Sequence, residues 1–198
     1  EVETGHVHAV APESKVAVIP NGVDIRYFES SAEAKSMERP EALLFIGSMA
    51  YAPNQDAVFF FHREVWPLLE ANFPDLKWWI VGRDPSAEVQ SLASTNIRVT
   101  SWVEDVRPYM AASQAMVVPL RSGGGSRLKI LEAMAARLPV VSTTIGAEGL
   151  SVSDGKDILL ADESRQFADT VTRLFQEPSL AQRMRTNGRH LVEARYDW

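Results

Sequence analysis

Residues Ala115–Leu150, AMVVPLRSGGGSRLKILEAMAARLPVVSTTIGAEGL, alternate strand-like, loop-like and helix-like chemistry in an order that few architectures accept. Ala115–Leu120 is a continuous apolar run, as expected of a strand buried on both faces of a parallel sheet. The following segment, Arg121–Ser126, contains Gly123, Gly124 and Gly125 in succession. Lacking Cβ atoms, these residues let the backbone turn sharply and approach a ligand closely. Arg127–Arg137 then reads as a helix, because Leu128, Leu131, Met134, Ala135 and Leu138 recur at three- and four-residue spacing. Pro139 stops it, Val140-Val141 opens the next strand, and Gly146 marks a second turn.

A parallel strand that feeds a glycine loop and a helix puts unpaired backbone N–H groups, and the positive end of the helix, at the carboxyl edge of the sheet. Such an edge favours phosphate. Arg127 and Lys129 add cations at the helix start, where they oppose the macrodipole at a cost of up to about 1 kcal/mol unless compensated. A bound diphosphate would compensate them; simple solvent exposure would also account for both. Glu132, within a turn of Lys129, suits either a surface ion pair or an acceptor for ribose hydroxyls.

The same alternation extends through the chain. Lys15–Pro20, Ala42–Gly47, Leu76–Gly82, Ile97–Thr100 and Ile158–Ala161 read as strands, and Glu29–Pro40 as a charged connector. Helices are expected over Asn54–Glu70 (with a kink at Pro67), Ser86–Leu92, a short stretch from Pro108, Phe167–Phe175 and Leu180–Tyr196. The expected fold is α/β: a Rossmann-like, mostly parallel sheet with helices on both faces. Residues 1–40 read as a linker with a strand and turn, and residues 41–198 as the α/β domain that carries the phosphate-favouring edge. Gly47, Gly82, Gly123–Gly125 and Gly146 all fall at strand ends, hence along one edge, where open parallel sheets bind ligands. Trp66, Trp78 and Trp79 read as core aromatics, whereas Trp102, in a loop at a strand end, suits either core packing or stacking near a base.

Other chemistries lack their patterns. The chain has 26 acidic against 20 basic side chains and no basic block, which disfavours nucleic acid. It has no cysteine, so disulfides, thiolate catalysis and cysteine-ligated metals fall away together. No run of about 18 apolar residues appears. The glycines do not form GxxxxGK[ST] or GxGxxG, and Ser122 and Ser126 lack the GxSxG setting. His6 and His8 have metal-like spacing but no partners in a loose segment, while His62 and His190 read as ordinary helix residues. Asp105 and Arg107 read as a helix cap and a surface residue. The first residue is Glu1 and the last Trp198, so both ends look cut from something longer.

Taken together, VIPNGVDIRYF (Val18–Phe28), FIGSMAYAPNQDAVFFF (Phe45–Phe61), WWIVGRDP (Trp78–Pro85), SWVEDVRPYM (Ser101–Met110), VVPLRSGGGSRLKILEAMA (Val117–Ala135) and PVVSTTIGAEGL (Pro139–Leu150) resemble the carboxyl-terminal domain of retaining group-1 (family 4) glycosyltransferases, in particular bacterial polysaccharide-associated sugar transferases. The resemblance implies the donor half of a two-domain GT-B enzyme whose amino-terminal acceptor domain is absent here. It implies a nucleoside diphosphate sugar as donor substrate, no metal or other cofactor, and a glycan or lipid-linked acceptor held by the missing half. It further implies that Arg127 and Lys129 act catalytically on the diphosphate, that Glu132 contacts ribose, and that the Val103 backbone region, with Trp102, helps hold the base. The expected setting is cytoplasmic, either free or at the inner face of a membrane. Two positions depart from the family pattern: Gly124, eight before Glu132, replaces a glutamate, and Ser48 replaces an arginine. The competing expectations are a nucleotide-sugar epimerase of the same architecture and a non-catalytic nucleotide-binding scaffold.

Overall fold

The computed structural model describes residues 7, 9–17, 21–33 and 41–198. In chain order the elements are α1 (Ile25–Glu33), β1 (Ala42–Ile46), α2 (Ala52–Phe60), a π-helical turn (Phe61–Val65) and α3 (Trp66–Glu70). Then come β2 (Lys77–Val81), α4 (Ala87–Gln90), β3 (Ile97–Val99), α5 (Arg107–Ala111) and β4 (Ala115–Val118). The chain continues with α6 (Leu128–Ala135), β5 (Val140–Ser142), β6 (Leu159–Leu160), α7 (Ser164–Gln176) and α8 (Pro178–Arg195).

The six strands form one parallel sheet in the order β3-β2-β1-β4-β5-β6, with helices on both faces, as the alternation implied. Because β1 and β4 are central, ALLF and AMVV are buried on both faces, and apolar residues fill every position. The chain moves outward on one side through β2 and β3, then returns to β4 and moves outward on the other. The reversal between β1 and β4 opens a crevice above their carboxyl ends, the place where open α/β sheets receive ligands. Below it, the core is aromatic: Phe61 packs at 4.7 Å and Trp66 at 5.8 Å from Trp78. Trp79 is half-buried and meets the edge of Tyr109 at 5.6 Å.

Three local expectations are corrected. The connector expected from Glu29 is in part helix, because Asp24 caps Tyr27 N–H at 3.0 Å and Ile25 and Phe28, three residues apart, are buried against the body. Residues 15–17 form no strand; residues 18–20 of the same expected element lie outside the described residues. The kink expected at Pro67 takes the form of the π-helical turn Phe61–Val65 just upstream. Proline offers no N–H and its ring crowds the preceding turn, so the hydrogen-bond ladder is displaced there.

Candidate functional site

The floor of the crevice is set by two backbones in contact. Gly47 ends β1 and Gly82 ends β2; a Cβ on Gly82 would lie 1.8 Å from the Gly47 carbonyl oxygen. Gly47 N–H donates to Val81 O at 3.0 Å and Met49 N–H to Arg83 O at 2.9 Å, so the two loops leave the sheet side by side. Asn54, near the start of α2, is buried and donates from Nδ2 to Ser48 O at 2.8 Å. Its Oδ1 accepts from Lys129 Nζ at 2.9 Å, so a cation carried by α6 reaches across the crevice to the β1 side. The ammonium also lies 4.6 Å from the centre of the Phe45 ring. Burial, and next the Arg127 charge, push the Lys129 pKa down to about 8, with Glu132 pulling the other way. Glu132 shows the mirror effect: burial raises its carboxyl and Lys129 opposes the rise. Among the described residues no hydrogen bond engages the Glu132 carboxylate.

The wall opposite is the glycine loop. Gly123 and Gly125 both have φ of 99°, a conformation costly for residues with a Cβ. Gly123 packs under Tyr51, in the loop after β1, and Pro53, in the first turn of α2, and the Tyr51 hydroxyl lies 3.5 Å from Gly124 O. Gly124 and Gly125 face open space. Arg127 caps α6 in position only: no side chain bonds the leading amides of that helix, and while Ile130 N–H turns back to Arg127 O at 2.9 Å, those of Leu128 and Lys129 have no partner among the described residues. Its own side chain is buried, with Nη2 donating to Gly123 O and Ile145 O, each at 2.8 Å, and Nη1 to Gly124 O at 3.3 Å. Glu148 stands 3.8 Å from Nη2, and Nε has no partner among the described residues. Lys129, Gly47, Gly82 and Gly123–Gly125 thus gather around the β1–β4 crevice, and Glu132 lies near enough to Lys129 for their charges to interact.

Trp102 is 70 % exposed, which removes the core-packing alternative; Val103 beside it is half-buried against the core. Asp105 accepts from Arg107 N–H at 2.9 Å and pairs with its guanidinium, which holds the carboxyl below its ordinary value. Arg107 is occupied further by Tyr27 O at 3.1 Å and by the Tyr27 ring. His62 is half-buried with a lowered pKa, chiefly from burial, and His190 is exposed; His6 and His8 lie outside the described residues. Among the described residues no three His, Cys, Asp or Glu side chains are placed to hold a metal ion. A groove of about 610 Å³ runs between β6 and α7, lined by Asp154, Glu163, Asp169, Arg165 and Arg173. Its mixed charges and its place at the sheet margin set it apart from the crevice.

Sequence reading missed Asn54, Tyr51 and Ile145. Asn54 follows a strand-end glycine at a helix start, which is a usable signal; nothing local marks the other two, which matter only because distant loops meet.

The fold is that of an open, doubly wound parallel α/β domain. The chain belongs to the glycosyl transferases group 1 family, whose model matches residues 40–177. Among curated proteins it is similar to a phosphatidyl-myo-inositol mannosyltransferase of Mycobacterium leprae, 28% identical over 193 residues, covering 93% of this chain and 50% of that protein. The chain spans about half the length of the curated relatives it matches. Its fold is similar to the carboxyl-terminal domain of the group 1 glycosyl transferase LpcC from Francisella tularensis, with TM-score 0.69 and 20% identity, covering 89% of this chain and 99% of that one. It is likewise similar to Anabaena HepE, solved in complex with UDP and glucose, with TM-score 0.72 and 17% identity, covering 91% of this chain and 53% of that one. No helix among the described residues is long and apolar enough to cross a membrane.

Proposed function

We propose that this chain is the donor-binding half of a retaining glycosyltransferase, holding a nucleoside diphosphate sugar in the β1–β4 crevice. One observation carries the reading: the partly desolvated ammonium of Lys129, at the uncapped start of α6, spans the crevice to Asn54 beside the glycine loop. A desolvated cation beside an uncapped helix start and an open glycine loop suits a diphosphate, and there it stabilises the charge that develops on it as the glycosyl bond breaks. Glu132, with no bonded partner among the described residues, is suited to ribose hydroxyls, and exposed Trp102 with the Val103 backbone to the base. Gly47 and Gly82 keep the crevice floor free of side chains. The mannosyltransferase named among the relatives and the UDP and glucose bound by HepE support this donor class. The complete protein would move a hexose-like unit to a glycan or lipid-linked acceptor held by a facing domain, in the cytoplasm or at the inner face of a membrane. No metal or other cofactor enters this scheme.

Gly124 and Ser48 favour a second reading, a domain that binds nucleotide without transfer. Lys129 weighs against it, since it delivers to the β1 side the positive charge that Ser48 does not. Calorimetric titration with UDP, GDP and ADP at low salt should detect binding of at least one, weakened about tenfold or more by Lys129→Ala, the scale of one lost charge-assisted contact. Silence with all three nucleotides would sink the donor site. Binding without any transfer by the complete two-domain protein would favour the scaffold, and a converted donor without acceptor would favour an epimerase.

A further inference from the structure

We infer that Arg127 is a positioning residue: from behind the glycine loop it turns the Gly124 and Gly125 N–H groups outward, as donors for the anionic part of the ligand. The inference rests on the donor-site reading and assigns the contact to backbone amides instead of the guanidinium.

In a trans peptide the carbonyl of one residue and the N–H of the next point in opposite directions, and no cis bond occurs among the described residues. Arg127 draws Gly123 O and Gly124 O toward its Nη atoms at 2.8 and 3.3 Å. The N–H groups that share those planes, on Gly124 and Gly125, therefore point away from the guanidinium. The loop is also uncrowded, since a Cβ built on either glycine meets nothing within 4 Å. Successive amides turned the same way form an anion-binding concavity, and here they continue into the uncapped start of α6. The Nη2–Ile145 O bond at 2.8 Å ties the loop after β4 to the turn after β5, so the concavity is braced from a second strand end.

Only a guanidinium meets these requirements. Three carbonyls lie along its planar fork, whereas an ammonium is a compact donor without that geometry. Burial confines the side chain further: 5% of it is exposed, so its Nη atoms are spent inside the protein and not on a ligand in the crevice. The Arg127 charge nevertheless reaches the site through space, being among the causes that lower Lys129.

The test separates the brace from the donor site. In ligand-free chain, amide hydrogen exchange of Arg127→Gln should rise at least tenfold over residues 121–126 and 143–149 while β1 and β4 stay protected. Arg127→Lys should match Arg127→Gln both in exchange and in an about tenfold weaker nucleotide Kd, because charge alone does not restore the fork. Lysine-labelled NMR should show the Lys129 titration midpoint rising in Arg127→Gln and staying low in Arg127→Lys, a separation that general loosening would not produce. Should either variant fail to fold, glycine-labelled wild type suffices: UDP, GDP or ADP should shift the Gly124 and Gly125 amides more than the remaining glycines. Wild-type affinity in Arg127→Lys, unchanged exchange in Arg127→Gln, or unmoved Gly124 and Gly125 amides under a nucleotide that binds would each overturn the inference. If no nucleotide binds, the donor reading falls, and the loss of the anion takes the amides' assigned role with it even where the exchange result stands.

Discussion

Lys129 concentrates the chemistry of the crevice in one side chain. Its folded pKa of about 8 lies below the ordinary lysine value of 10.5, so between these values the unfolded chain binds more protons than the folded one. Its contribution to stability therefore rises with pH across that window, and below pH 8 the burial penalty is fully present. The melting-temperature advantage of Lys129→Met over wild type should accordingly be largest near pH 7 and shrink toward pH 10; a pH-independent difference would contradict the desolvated ammonium. Binding has the opposite sign, because a diphosphate favours the charged form. Titrations at pH 8.5 in two buffers of different ionisation enthalpy should show net proton uptake, and Lys129→Met should abolish it. The cation at this position was legible in the sequence, but its reach to Asn54 was not. Arg127 shows the limit more sharply: at the helix start it read as a cation facing an anion, whereas the fold brings Ile145 O within reach and turns the guanidinium inward.

At the scale of elements, strand ends and loops decide what the crevice admits. Gly82 and Gly124 both read as strand-end or loop glycines, yet only one is enclosed. A methyl group on Gly82 would meet the Gly47 backbone, which cannot retreat without separating β1 from β2. Gly82→Ala should cost at least ~2 kcal/mol by urea denaturation, as overpacking against rigid neighbours does. Gly124→Ala, pointing into open space, should change stability by less than about 0.5 kcal/mol. Equal losses for the two would show that the strand-end contacts are misplaced. Periodicity made most of these elements readable, because the spacing of apolar residues is local. It failed at α1, whose Ile25 and Phe28 acquire their partners only from the folded body, and at the π-helical turn, where Pro67 acts on residues before it.

The whole molecule is held together by contacts that join its distant parts. Arg189 of α8 is buried; it donates to Ala135 O at the end of α6 at 2.8 Å and pairs with Glu193 at 2.5 Å and with Glu29 of α1 at 3.5 Å. Both carboxylates are substantially exposed and can return to water, but Ala135 O would be left without its donor. Arg189→Met should therefore lower stability by ~2 kcal/mol, the cost of one buried acceptor left unsatisfied, with the urea transition still single. A loss below about 0.5 kcal/mol, taken as the ordinary scatter of surface substitutions, would remove the strap from the account. What the amino-acid sequence determined by itself was the α/β class, the succession of strands and helices, and the strand-end placement of the glycines, because each follows from spacing within a few residues. Tertiary structure alone decided the sheet order, the meeting of Lys129 with Asn54, the exposure of Trp102 and the inward turn of Arg127. Those depend on which strands become neighbours, and burial and hydrogen bonding act between residues that the chain keeps far apart.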